Sequence, residues 1–273
     1  MNPHDIEEFE LDTILDLIDK CYGYNFKDYS RASIKRRIQN LASACNCEHI
    51  SELIPKVLYQ DNFLDKFLKG MSVTVTDMFR DPWVFKIFKE KIIPQLRIHP
   101  QINIWHAGCA TGEEVYSMAI LLKEEGLLKY SRIYATDFNN HSLDIAKKGI
   151  YPLEKMQRYS KNYLDAGGKY SLSEYYDVKY DVAKFSRELT ERITFSHHNM
   201  GVDQAFGEMN LIICRNVLIY FNKTLQNRVF TLFYDSLMPR GVLLLGDKES
   251  IDYSEINSKL TAVSSKARIY QVR

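Results

Sequence analysis

Apolar positions follow two different rhythms along this chain. Over roughly the first seventy residues they recur at helical spacing. Leu11, Ile14, Leu15, Ile18 and Tyr22 predict one helix, stopped at Gly23. Ile34, Ile38 and Leu41 predict a second helix after Ser30. Leu64, Phe67, Leu68 and Met71 predict a third, with Asp61 as a candidate cap. No strand-type alternation interrupts this stretch, so residues 1–75 read as a small N-terminal helical domain. From Gln101 short β-rich apolar segments alternate with helical ones. They are INIW (102–105), RIYAT (132–136), ITFS (193–196), LIIC (211–214) and VLLLG (242–246), with ARIYQVR (267–273) as a final strand. Helical patterns run from Glu113 to Glu125 and from Thr224 to Ser236. Such repetition predicts an α/β domain over 76–273, built on a mostly parallel sheet. The interval between the second and third strands is too long for a plain crossover. Its Tyr-rich SLSEYYDVKYDVAKF (171–185) marks an inserted β-subdomain at about 155–192.

Composition narrows the classes. A chain of 273 residues that is 45% hydrophobic can bury one large core with a small satellite. A formal charge of +1 with 26% charged residues excludes a globally basic nucleic-acid binder. The longest apolar run, Leu211 to Phe221, is too short to cross a bilayer and contains Arg215, so no membrane insertion is expected. The acidic start MNPHDIEEFELD has no apolar core of signal-peptide length, so a cytoplasmic protein is expected. Cys21, Cys45, Cys47, Cys109 and Cys214 are scattered and read as reduced thiols. Neither they nor the seven histidines form a metal signature, and no metal is expected.

The sharpest chemical feature is IWHAGCATGEE (104–114), in which a strand leads through Gly108, Ala110 and Gly112 into a helix opening at Glu113. Glycines there let the backbone approach a ligand closely. Two carboxylates, Glu113 and Glu114, stand at the helix start, where a dinucleotide site keeps the N-terminus free for pyrophosphate. An acid in that place suits a ligand with an ammonium group, such as the amino-acid end of S-adenosylmethionine. The plainer role is to complement the helix dipole. Asp137, 25 residues past Gly112 at the end of the second strand, can accept both ribose hydroxyls of an adenosine. Its plainer role is to cap the following helix. A nicotinamide dehydrogenase is disfavoured by the acidic helix start and the missing G-x-G-x-x-G.

With VTDMFRDPWVF (75–85), AGCATGEEVYSMA (107–119), ATDFNNHSLDIAKKGIY (135–151), FSHHNM (195–200), ICRNVLIYF (213–221) and GDKES (246–250), the chain resembles the chemotaxis receptor methyltransferases, the CheR family. The resemblance implies a Rossmann-like class I methyltransferase domain with a small antiparallel β-subdomain and an N-terminal helical domain. It implies S-adenosylmethionine as cofactor, with S-adenosylhomocysteine as product. Glutamate side chains of methyl-accepting chemotaxis receptors would be methylated, by a monomer at membrane receptor arrays. Residue by residue, it implies that Thr74, Thr76 and Arg80 lie at the methionine end of the cofactor, Gly108 in its loop, and Glu113 at its amino group. Asp137 would take the ribose, Asn199 and Met200 would lie beside the adenine, and Asn216 and Val217 would close over the cofactor. Arg80 and Tyr220 match the active-site pair. Read without the family, Arg80 is equally a surface cation paired with Asp77 or Asp81, and Tyr220 a core aromatic.

The basic stretch SRASIKRRIQN (30–40) supplies Arg31, Lys35, Arg36 and Arg37 as candidate receptor contacts, with Arg31 and Lys35 on one helical face. The alternative is a solvated face. The insert resembles a β-subdomain that in some family members docks a receptor tail at a sheet edge. Three positions depart from the family pattern: Thr74 stands for asparagine, Met200 for leucine, and Val115 for the proline after the two glutamates. Two other functions share the pattern: a methyltransferase for another carboxylate, and a non-catalytic S-adenosylmethionine-binding signalling module.

Overall fold

Asn2 starts the first helix, α1 (Pro3–Tyr22), by accepting from the Asp5 N–H at 2.9 Å, and Pro3 takes the first helical position. Gly23, at φ 74°, ends it. Helices α2 (Arg31–Ala44), α3 (Leu53–Tyr59) and α4 (Phe63–Met71) follow. Leu11, Ile14, Leu15 and Ile18 are buried with Ile34, Ile38 and Phe67, which is the core that the helical spacing predicts. The cap of α4 is Asn62, at φ 62°, where the sequence points to Asp61. The computed structural model describes residues 2–72, 76–205 and 207–273, and these divide into two units.

The first unit holds α1–α4 together with Tyr220–Val229. This corrects the expected division, which assigns Tyr220–Val229 to the second domain. The reason is backbone pairing. Ser30 N–H donates to Tyr220 O at 2.7 Å, Asn222 N–H donates to Asp28 O at 2.8 Å, and Tyr29 bridges Phe221. The Tyr29 and Phe221 rings also meet edge to face at 4.9 Å.

In the second unit, α5 (Pro82–Lys91) and α6 (Ile93–Leu96) lead into β1 (Ile102–Ala107), α7 (Glu113–Glu124), β2 (Ser131–Asp137) and α8 (Asn140–Lys148). The insert comprises β3 (Ile150–Pro152), α9 (Met156–Asp165), β4 (Tyr176–Lys179) and β5 (Val182–Phe185). After it come α10 (Arg187–Thr190), β6 (Ile193–His197), β7 (Met209–Cys214), α11 (Lys223–Ser236), β8 (Leu237–Leu245), β9 (Leu260–Ser264) and β10 (Ile269–Val272). Helix α11 begins in the first unit and ends in the second.

The large sheet runs β6-β2-β1-β7-β8-β10-β9, with β6, β2, β1, β7 and β8 parallel and β10 antiparallel to both its neighbours. Every residue of β7 is buried, as expected of a strand covered on both faces. Trp105 on β1 is fully buried and donates its indole N–H to Thr136 Oγ1 at 2.9 Å. Order reverses between β1 and β7, which leaves a crevice at the carboxyl ends of the strands.

The small sheet, β3-β5-β4, is antiparallel throughout and starts at Ile150, five residues before the expected insert boundary. It is tied to α7 through Glu124, whose carboxylate accepts from the hydroxyls of Tyr163 and Tyr175, the latter at 3.0 Å. Among the described residues β4 has no partner on its outer edge, where Val178 and the following Tyr180 are exposed.

Candidate active site

The loop after β1 is shaped by three left-handed residues, Gly108 (φ 76°), Ala110 (φ 47°) and Gly112 (φ 92°). It is pinned to β2 because the Gly108 and Cys109 N–H groups donate to Thr136 O at 2.8 and 2.9 Å. A Cβ on Gly108 would lie 2.7 Å from Val217 Cγ2, and one on Gly112 would lie 2.9 Å from Ala146 Cβ. Glycine is therefore required for closeness as well as for φ. The reversal crevice brings the Gly108 loop after β1 against Val217 after β7.

Asp137 ends β2 with its side chain buried. Oδ2 accepts from Ala110 N–H and Oδ1 from Asn139 N–H, each at 2.9 Å. Phe138 N–H is a third backbone donor to this carboxylate, which offers about four acceptor directions in all. Burial pushes this carboxyl up from its ordinary range, and the backbone donors and His197 pull it partly back. The capping role goes to Asn139, whose Oδ1 accepts from His141 N–H at 3.0 Å. That separates Asp137 from the bland reading.

The two glutamates at the start of α7 part company. Glu113 is 1% exposed, and its carboxylate accepts from Thr111 Oγ1 at 2.6 Å and from the Tyr159 hydroxyl at 3.3 Å. The nearest cation, Lys155 Nζ, stands 4.0 Å away on a side chain that is itself well exposed. Burial raises the Glu113 carboxyl above its usual range, only partly offset by Thr111. A buried carboxylate without a closely matched cation gains from the arrival of an ammonium group. Glu114 is the reverse case. It receives Arg215 Nη1 at 2.6 Å and so belongs to the frame.

Arg215 also organises the segment that carries Arg80. Its Nη2 pairs with Asp81 at 2.7 Å, and Nη1 donates to Arg80 O at 3.3 Å. Phe79 (φ 49°) and Asp81 (φ 56°) flank Arg80 in left-handed conformations, held further by Phe79 N–H donating to Ser117 Oγ at 2.8 Å. The carboxylates that would make Arg80 a surface ion pair are both engaged elsewhere, Asp77 with Arg158 and Asp81 with Arg215. Among the described residues nothing accepts from the Arg80 guanidinium.

Thr76 is half-buried just before this segment, and Thr74 lies outside the described residues. Beyond β6, His198 N–H donates to Asp137 O at 3.2 Å and brings Asn199 and buried Met200 beside the β2 end. Asn199 Oδ1 closes its own turn by accepting from Gly201 N–H at 3.0 Å. Asn216 (φ 61°) and Val217 follow β7. Their N–H groups, with those of Leu218 and Gly246, donate to the carboxylate of Glu249 at 2.7–3.1 Å.

The first unit holds the remaining candidates. Tyr220 lies under the Arg37 guanidinium, 5.2 Å from ring centroid to Cζ, and Arg37 Nη1 donates to Met71 O at 3.1 Å. The proposed basic face of α2 needs correction. Arg31 pairs with Glu8 at 2.7 Å and Asp12 at 2.5 Å, and Lys35 pairs with Glu7 and Glu8 at 2.7 Å. These two cations meet the acids of α1, because α1 and α2 pack with their charged flanks aligned. Arg36 is exposed, like Arg31, but has no ion pair among the described residues.

Reading residues alone misses Arg215, Glu249, Lys155 and Tyr159. Arg215 and Glu249 sit inside the ICRNVLIYF and GDKES motifs, which was the available signal, but a motif does not say which way a side chain faces.

Comparison with known proteins identifies the family. Residues 74–269 match the family model described as the CheR methyltransferase SAM-binding domain, and residues 10–72 match the CheR all-alpha domain. A Pseudomonas putida relative named Cher3 is 44% identical over 264 residues, covering 97% of each chain. A chemotaxis protein methyltransferase of Borreliella burgdorferi is 29% identical over 270 residues, covering 90% of this chain and 89% of its own. Among solved structures, an S-adenosylhomocysteine complex of a SAM-dependent methyltransferase from Geobacter sulfurreducens is similar at a TM-score of 0.33 and 12% identity, covering 71% of this chain and 53% of that one. The cofactor is S-adenosylmethionine, and the residues present fit it. Glu113 is a buried acid at the helix start, Asp137 is a buried acid at the end of β2, and the loop between them has no room for a Cβ at Gly108 or Gly112.

Proposed function

Because the chain belongs to the CheR methyltransferase family and is an S-adenosylmethionine-dependent methyltransferase, we propose that it esterifies glutamate side chains of methyl-accepting chemotaxis receptors. The observation that carries this reading is the Arg80 guanidinium, which has no acceptor among the described residues. It stands on a segment fixed by Arg215 and Ser117, with both neighbouring aspartates already engaged. A planar guanidinium holds a carboxylate through two parallel hydrogen bonds, which suits an acceptor glutamate. S-adenosylmethionine, when bound, supplies an electrophilic methyl on a sulfonium. The acceptor carboxylate, with an ordinary pKa of about 4.3, is already ionised near neutral pH, so no group of the chain needs to remove a proton. The chain's task is positioning, which contributes as much as roughly 7–11 kcal/mol in favourable cases. Glu113 and Asp137 hold the two ends of the cofactor, Arg80 orients the acceptor, and Tyr220 adds a hydroxyl to the active site.

No described helix is long and apolar enough to cross a membrane. We place the protein at the cytoplasmic face of receptor arrays, acting on the receptors' cytoplasmic domain. Incubation with methyl-labelled S-adenosylmethionine and a receptor cytoplasmic fragment tests the reading. Label released by mild alkali from receptor glutamates is the expected result. Label on other proteins, with none on receptor, would replace it with the second reading, a methyltransferase for another carboxylate. That alternative draws support from Arg31 and Lys35, whose pairing with α1 removes charge that would attract an acidic receptor.

A further inference from the structure

The most heavily bonded buried carboxylate outside the cofactor acids is Glu249, 4% exposed in the loop after β8. Its Oε1 accepts from Val217 N–H at 2.8 Å and Leu218 N–H at 2.7 Å. Its Oε2 accepts from Asn216 N–H at 3.1 Å and Gly246 N–H at 2.7 Å. Three of these donors are consecutive, and the first of them, Asn216, is a non-glycine residue at φ 61°. Successive N–H groups converging on one point form an anion-binding concavity, and here the anion comes from the chain itself. Space around it is closed. A Cβ on Gly246 would lie 2.8 Å from both Asn216 N and Glu249 Oε2.

We infer that Glu249 is a positioning residue for S-adenosylmethionine, fixing the turn after β7 that sets Asn216 and Val217 against the cofactor loop. The inference rests on the proposed cofactor role of Asn216 and Val217. It adds that their placement depends on a charge more than thirty residues away in sequence. Both oxygens are needed as acceptors, since each serves two donors. Glutamine keeps the shape but replaces one oxygen with an NH₂ group, which would face two N–H donors whichever way the amide turns. Aspartate keeps the charge but is one methylene too short to span the donors from the same backbone.

The experiment compares Glu249→Gln, Glu249→Asp and Asn216→Ala with Ser131→Ala. Ser131 is a buried hydroxyl bonded to Leu127 O at 3.0 Å, at the opposite end of β2, and its variant reports general loosening. Calorimetric titration with S-adenosylmethionine and steady-state kinetics are run below every variant's unfolding temperature. Glu249→Gln is expected to raise the cofactor Kd and KM by about tenfold or more, the scale of a lost charge-assisted contact. The acceptor KM, and kcat at saturating cofactor, should change by no more than about threefold, and Ser131→Ala should leave all of these constants alone. If Asn216→Ala weakens cofactor binding and Glu249→Gln does not, the inference fails and the site reading stands. If neither does, the site reading fails first. Should Glu249→Gln not fold, Gly246→Ala disturbs the same turn from its other side and is judged by the same constants.

Discussion

On α2, Arg31 and Lys35 lie against Glu7, Glu8 and Asp12 of α1, whereas at the start of α7 Glu113 is buried with its nearest cation 4.0 Å away. Both places look alike in sequence, as a cluster of one sign near a helix terminus. In the first, the opposing charges lower the Glu8 carboxyl to about 2, chiefly through Lys35. In the second, burial raises the Glu113 carboxyl. A charge whose environment favours its ionised form is already served by the fold. A buried charge whose environment opposes ionisation, and which the fold does not surround with donors as it does Glu249, is a candidate for binding a ligand.

The largest effect that would sharpen this contrast is at Arg80, a cation without an acceptor among the described residues, beside two aspartates engaged elsewhere. Arg80→Ala is expected to cut the single-turnover methylation rate by about 10²-fold or more, since misplacing an acceptor by an ångström has that scale of effect. Tyr220→Phe, which keeps the ring under Arg37, should slow the rate by less and leave cofactor affinity unchanged. A normal single-turnover rate in both variants would remove these residues from the active site.

Next comes Glu113→Gln. Cofactor binding should weaken by about 1–3 kcal/mol, the range for a charge-assisted hydrogen bond. The cofactor-free protein should melt no lower than the wild type, because a buried unmatched charge has been neutralised. Lower melting with unchanged binding would place Glu113 with the frame and dissolve the comparison.

The same logic sets a pH dependence. Glu113 and Asp137 have folded pKa values raised above the ordinary carboxyl values. Their contribution to the stability of the cofactor-free protein is therefore fully present at low pH, and is lost as pH rises from the unfolded values through the raised ones. A bound ammonium reverses the penalty at Glu113, so the thermal shift given by S-adenosylmethionine should grow as pH rises through that window. Glu113→Gln should flatten the rise. A shift that is flat in the wild type as well would mean that Glu113 does not face the ammonium.

The smallest effects belong to α2. Arg31→Ala with Lys35→Ala should lower the melting temperature only slightly, as loss of exposed ion pairs does, and barely change the methylation rate. Arg36→Glu should slow receptor methylation at low salt, an effect that disappears above the ionic strength at which charges are screened within about 8–10 Å. Equal rates in both variants at low salt would leave α2 with no part in receptor recognition.

What the sequence shows of this molecule follows from what is local. Strands β1, β2, β6, β7 and β8 are legible because burial makes them short apolar runs, and α1, α2, α7 and α11 because their spacing is regular. Strand β9 (Leu260–Ser264) is missed because it is short and only Leu260 of it is buried, so neither a fully apolar run nor an alternation marks it. Gly112, Glu113 and Asp137 are legible because their positions at strand ends fix their surroundings. The pairing of Arg31 with Asp12, of Arg215 with Glu114, and of Glu249 with the turn after β7 depends on how distant elements pack. Spacing along the chain carries no record of that.

Trp105 has a consequence outside chemistry. Its indole is sealed in the core, hydrogen-bonded to Thr136 next to Asp137, and three residues ahead of Gly108. The chain has only one other tryptophan, Trp83, which is partly exposed on α5 with Lys266 at 5.2 Å from its ring. Replacing Trp83 with phenylalanine would leave a single indole, on the strand that leads into the Gly108 loop. Its emission would start blue, as for an indole shielded from water, and would answer to any change in the loop above it. The fold thus carries a built-in optical gauge of cofactor occupancy, readable without a label.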